Sequence, residues 1–193
     1  MYSFFAQTKS DAYKMYRAGN YVGAIKVCED ELKQNAKNMD SYVVLCWSLV
    51  NNRQFAEAEL HATNARKISQ YDHRIIEILA EAKFYLGKNV EALNLFQEYI
   101  SLVSSNGDRL GLAYYFIGEI YVLQAMYEHA DIALSQAVLL EPLKEAWWIR
   151  LGYAREMTKK YDKAVIAYDK ALDLNNGAED ARRGKERVMP LIR

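Results

Sequence analysis

Five alanines recur along the chain, Ala24, Ala58, Ala92, Ala130 and Ala164, at intervals of 34, 34, 38 and 34 residues. Tyr127–Ala130 (YEHA) and Tyr161–Ala164 (YDKA) lie in near-identical surroundings, and Phe55–Ala58 (FAEA) is close to both. A fixed period in this range marks stacked supersecondary units, none of which can bury its apolar face alone. With each alanine at the twentieth place of a frame, the sequence divides into 5–38, 39–72, 73–106, 111–144 and 145–178. Residues 107–110 (GDRL) are left over between the third and fourth frames.

Within each frame, two segments of helical apolar spacing flank a short polar or glycine turn such as Ala18-Gly19-Asn20 or Leu86-Gly87-Lys88. Tyr114, Ile117, Gly118 and Tyr121 follow the i, i+3, i+4, i+7 rule, and strand patterns are absent. The eighth place is always small: Ala12, Cys46, Ala80, Gly118, Gly152. Small residues there and at the twentieth place let paired helices approach closely. Bulk comes from Tyr42, Ile76, Tyr114 and Trp148 at the fourth place, and from Leu45, Leu79, Ile117 and Leu151 at the seventh. The spacing therefore predicts an all-α protein of antiparallel helix pairs.

The succession of an aromatic, Leu-Gly, Tyr, Ala and Pro resembles the tetratricopeptide repeat. It is fullest in Tyr114, Ile117, Gly118, Tyr121, Tyr127, Ala130, Ala137 and Pro142. The fifth frame follows, with Arg155 and Asn176 in place of the usual Tyr and Pro. The resemblance implies a right-handed superhelical solenoid over 5–178. The first frame departs most, with Asp11, Glu31 and Gln34 where other frames are apolar. That suits a polar N-terminal cap or a docking repeat. After the last frame, Ala181, Gly184, Val188 and Leu191 share one helical stripe, which reads as a C-terminal capping helix and tail over 179–193. That helix should stop near Met189, because Pro190 cannot continue it.

The same resemblance implies that the first helices of successive pairs line a concave groove, with the second, fifth, sixth, ninth, twelfth and thirteenth places facing a ligand. The candidate peptide-binding residues are then Lys9, Tyr13, Trp47, Arg74, Glu77, Glu81, Phe84 and Tyr85, followed by Tyr115, Phe116, Glu119, Arg150, Tyr153 and Glu156. Aromatic side chains interleaved with charges of both signs are the residue types of binding hot spots. Tyr13, Val43, Phe84 and Phe116 suit packing between neighbouring first helices equally well. Glu77 and Glu81, at i and i+4, read as two acids on a solvated helix face. Tetratricopeptide domains that clamp the C-terminal tail of Hsp70 or Hsp90 use Lys and Asn donors. Here Lys9 and Arg74 match, but Tyr13 and Val44 replace both asparagines and Ile78 replaces the last basic residue, which argues against that ligand.

Lys plus Arg equals Asp plus Glu at 25 each, so no global field draws nucleic acid or an acidic membrane. No segment has the ~20 apolar residues of a membrane span. The start, Met1–Gln7, lacks the basic region and apolar run of a secretory signal, so a cytoplasmic location is the default. Cys28 and Cys46 suit buried, reduced thiols, and the three histidines have no metal-ligand spacing. Phosphate loops and nucleophile elbows are missing, so neither catalytic residues nor cofactors are expected. The function expected is a non-enzymatic adaptor that holds an extended peptide or helix in the groove. The rivals are a structural subunit docked through convex or terminal surfaces, with self-association left open, and a module of a larger protein.

Overall fold

The computed structural model describes residues 12–105 and 107–192. Among these there is no strand, and they fall into two compact units, 1–102 and 103–193. Unit 1 contains helical residues 12–17 (α1), then α2 (Tyr21–Gln34), α3 (Met39–Asn51), α4 (Phe55–Ile68), α5 (His73–Tyr85) and α6 (Asn89–Leu102). Unit 2 contains α7 (Leu110–Leu123), α8 (Tyr127–Leu140), α9 (Glu145–Met157), α10 (Tyr161–Leu174) and α11 (Glu179–Val188), closed by a 3-10 turn at Met189–Leu191. Within each unit, consecutive helices from α2 to α6 and from α7 to α11 pack on each other. First helices also meet: α3 with α5 in unit 1, and α9 with both α7 and α11 in unit 2. The fold is an all-α stack of helix pairs. Leu110, the last of the four interrupting residues, is buried as the first residue of α7.

The turn inside every pair closes in one way. Its fifteenth-place residue is left-handed, with φ of 76° at Gly19, 62° at Arg53, 75° at Gly87, 57° at Ala125 and 59° at Lys159. Arg53 N–H donates to the Val50 carbonyl at 2.9 Å and Gln54 N–H to that of Leu49 at 2.8 Å, and the other four turns repeat this pattern. These paired bonds satisfy the last carbonyls of the first helix. Glycine adopts the conformation freely, whereas Arg53, Ala125 and Lys159 hold it at a cost of about 1 kcal/mol each.

The timing alanines Ala24, Ala58, Ala92, Ala130 and Ala164 are fully buried. In unit 2 the eighth-place glycines set the helix spacing. A Cβ on Gly118 would lie 2.5 Å from Leu134 Cγ, and one on Gly152 would lie 2.5 Å from Tyr168 Cε1. The Tyr168 ring also fills the space beside Gly184 of α11, so one buried ring fixes three helices. On α11, Ala181, Gly184 and Val188 are buried. Leu191 departs from the expected stripe: the helix ends at Val188, and in the 3-10 turn containing Pro190 Leu191 is exposed.

A charge lock recurs across pairs. Glu59 of α4 accepts from Lys83 Nζ at 2.8 Å and Lys88 Nζ at 2.7 Å. Asp131 of α8 accepts from Arg155 Nε and Lys160 Nζ, both at 2.9 Å. Arg155, the residue that departs from the repeat's usual Tyr, is thus half of a largely buried ion pair.

Candidate functional site

The first-helix face of unit 1 is built from α1, α3 and α5. Lys9, like Asp11, lies outside the described residues. Tyr13 is 45% exposed and stacks on Tyr16, which in turn stacks on Trp47 with ring centroids 5.7 Å apart. Tyr85 is 47% exposed and lies flat on Phe55, 4.5 Å away, with half-buried Phe84 edge-on to it. Arg74 is held by Asp72 at 2.7 Å and Asp40 at 3.0 Å. Its hydrogen bond to Asp72 raises the guanidinium's affinity for its proton still further.

Glu77 and Glu81 differ from expectation. They are 1% and 8% exposed, so this is no solvated acidic face. Spacing at i, i+4 puts two residues on one helix face but carries no information about what covers that face. Val43 is buried as well, in keeping with the packing alternative.

In unit 2 the face comes from α7, α9 and α11. Tyr115 is half-buried and stacks on Trp147, centroids 5.0 Å apart and planes within 12°. Phe116, the next residue, is buried at 3% exposure and offers no surface. Glu119 Oε1 accepts from Arg150 Nε at 2.6 Å, tying α7 to α9. The Arg150 guanidinium sits 5.4 Å from the Tyr153 ring centre, a cation–π contact. Burial and a hydrogen bond with Tyr127 raise the Tyr153 phenol above its ordinary value. Glu156 accepts from Arg187 Nε at 2.8 Å and from Tyr168 Oη at 2.7 Å. Burial alone would raise its carboxyl, but Arg187 and Tyr168 outweigh that and hold it below the usual range.

Glu119, Glu156 and Arg74 are therefore committed to ion pairs that position the face, while Tyr13, Tyr85, Tyr115, Tyr153 and Arg150 present atoms to solvent. Sequence reasoning missed Trp147, which orients Tyr115, and read the arginines of α11 as a basic stretch of the capping helix without placing them on this face. The signal for the latter was present. One more frame begun at Glu179 places Asp180, Arg183 and Arg187 at the second, fifth and ninth places. Among the described residues, no cluster of three metal-ligating side chains occurs, and no helix is long and apolar enough to cross a membrane.

Residues 112–142 and 146–178 each match a family model of the tetratricopeptide repeat. Human cilia- and flagella-associated protein 70 is 24% identical over 160 residues, which are 83% of this chain and 14% of that protein. The sequence thus spans a small part of this curated relative's length. A thermophilic TPR protein of Thermus thermophilus superposes with a TM-score of 0.69 at 18% identity, covering 96% of this chain and 98% of its own. YrrB, described as a TPR protein with an unusual peptide-binding site, gives 0.71 at 16% identity, covering 93% and 90%. Residues 112–142 and 146–178 thus match tetratricopeptide repeats, and the fold of the chain is that of tetratricopeptide-repeat structures.

Proposed function

We propose that the protein is a non-enzymatic adaptor that binds an extended peptide or a helix of a partner protein along its first-helix face. The observation that carries this reading is the set of aromatic side chains left accessible there yet held in fixed stacks: Tyr13 on Tyr16, Tyr85 on Phe55, Tyr115 on Trp147. Rings already ordered lose little freedom on binding, which is how preorganisation raises affinity. The peptide-binding site ascribed to YrrB is consistent with this use of the fold. A cytoplasmic location accords with two free, buried cysteines, the Cys28 thiol being pushed up to about 12 by burial.

Selection of a displayed random-peptide library against the purified protein tests the reading. Tyr13→Ala and Tyr115→Ala are expected to weaken the selected peptides by roughly tenfold or more, as truncation of a hot spot does, with an unchanged melting temperature. Undiminished binding in both variants would sink it. A second reading, permanent docking through convex or terminal surfaces, is favoured by Leu139 on the second helix α8 and Leu143 in the turn after it, which are 73% and 81% exposed. It requires a concentration-dependent mass by light scattering or a stable co-purifying subunit.

A further inference from the structure

Between α9 and α11 of unit 2 opens a cavity of about 310 Å³, with buried Tyr168 in its wall. Arg150 and Tyr153 stand on its α9 side and Arg183 and Arg187 on its α11 side, so three guanidiniums face one small space. Asp180 is the single carboxylate that lines it. Two of the cations are aimed from behind: Arg150 by Glu119, and Arg187 by a two-pronged pairing with Glu156. Arg150 uses only Nε for that bond. Both its Nη groups, and every donor of Arg183, have no hydrogen-bond partner among the described residues.

We propose that this notch takes a carboxylate group of the partner segment, gripped by the free fork of Arg150 from one side and by Arg183 from the other. The inference rests on the first-helix-face reading, since Arg150 and Tyr153 belong to that face, and it adds the chemistry of one anchor. A planar fork with two adjacent free N–H donors matches a carboxylate in bidentate fashion. The cavity is at the small end of ligand sites, sized for one acidic group and a few carbons rather than for a whole small molecule. The carboxylate can come from a Glu or Asp residue or from the C-terminus of a peptide. Glu119 and Glu156 position the guanidiniums without facing the cavity, so the wall itself is cationic apart from Asp180.

The test follows arginine Nε–Hε signals of the intact protein by NMR during titration with three short peptides. Acetyl-Leu-Glu-Leu-amide offers a glutamyl carboxylate, acetyl-Leu-Leu-Leu with a free C-terminus offers a terminal one, and acetyl-Leu-Gln-Leu-amide offers none. The Arg150 and Arg183 signals should move with at least one carboxylate peptide and stay fixed with the glutamine peptide. Whichever carboxylate peptide acts identifies the source. Arg183→Glu should weaken that binding at least tenfold at an unchanged melting temperature, because Arg183 is exposed and makes no bond among the described residues. Static signals with both carboxylate peptides, equal shifts with the glutamine peptide, or full affinity in Arg183→Glu would overturn the proposal. If the notch fails while Tyr115→Ala still abolishes binding of library-selected peptides, only the anchor is lost. If the notch binds while Tyr13→Ala and Tyr115→Ala change nothing, the wider face reading falls instead.

Discussion

In unit 1 the carboxylate of Glu59 sits between Lys83 and Lys88, and in unit 2 that of Asp131 sits between Arg155 and Lys160. Both acids occupy the twenty-first place of a frame, and their cations the eleventh and sixteenth of the next. The repeat thus fixes the places of the lock and leaves the residue types free. The shorter acid is met by a cation with more donors: Arg155 also reaches Ser135 Oγ at 3.2 Å and the Lys163 carbonyl at 3.3 Å. Lys83 instead divides its charge between Glu59 and Glu91. The units differ in a second way. Unit 2 brings its helices together on Gly118 and Gly152, whereas Ala12, Cys46 and Ala80 in unit 1 accommodate a Cβ while fully buried or nearly so.

The largest expected effect strikes that second difference. Gly152→Leu would drive a side chain into the Tyr168 ring, which Gly184 confines from the other side, and should cost about 3 kcal/mol by denaturant unfolding. Cys46→Ala in unit 1 removes only a small group and should cost about 1 kcal/mol. Equal losses would show that the glycine seam is not what spaces unit 2.

Next come the locks. Asp131→Ala leaves Lys160 with Glu128 as a partner but strips the largely buried Arg155 guanidinium of its carboxylate, and should lower stability by about 2 kcal/mol, discounted for partial exposure. Glu59→Ala leaves Lys83 with Glu91 as a partner and should cost about 1 kcal/mol. The reverse order would break the comparison.

Acid should reveal the same pairs. Burial alone would raise both carboxyls, but their cations outweigh it and depress them below the ordinary value. A depressed carboxyl contributes stability that is complete above the unfolded value near pH 4 and is lost as pH falls through the folded value. Melting temperature should therefore hold between pH 7 and about 5 and drop below about 4, with a shallower drop in Asp131→Asn. An identical acid profile in that variant would remove Asp131 from the account.

The smallest effect concerns the turns. Gly87→Ala should lose about 1 kcal/mol, and Ala125→Gly should gain somewhat less, because glycine's extra freedom when unfolded offsets part of the relief. Loss of stability in Ala125→Gly would show that its left-handed backbone carries no strain.

Much of this was legible in advance for one physical reason. Close helix packing demands small residues, and small residues recurring at a fixed period fix the frame. The pairs, their turns at Gly19 and Gly87, and the bulk at Leu45 and Leu151 all follow from it. The left-handed residues Arg53, Ala125 and Lys159 were not legible, since nothing in their side chains announces the conformation. The locks were hidden because Asp131 and Arg155 are 24 residues apart and each reads as an ordinary surface charge. At the site, frame position found Tyr115, Arg150 and Tyr153 but could not tell that Phe116, Glu77 and Glu81 are buried. The α11 arginines were not placed on the face because the last timing alanine marks a frame that ends at residue 178, and no sixth alanine continues the count.

Hydrogen–deuterium exchange on the intact protein, with and without a library-selected peptide, tests the central claim most directly. Binding to the first-helix face should slow exchange in α3, α5, α7, α9 or α11 and leave α4, α8 and α10 unchanged. Protection concentrated in the second helices, with the first helices unaffected, would contradict it.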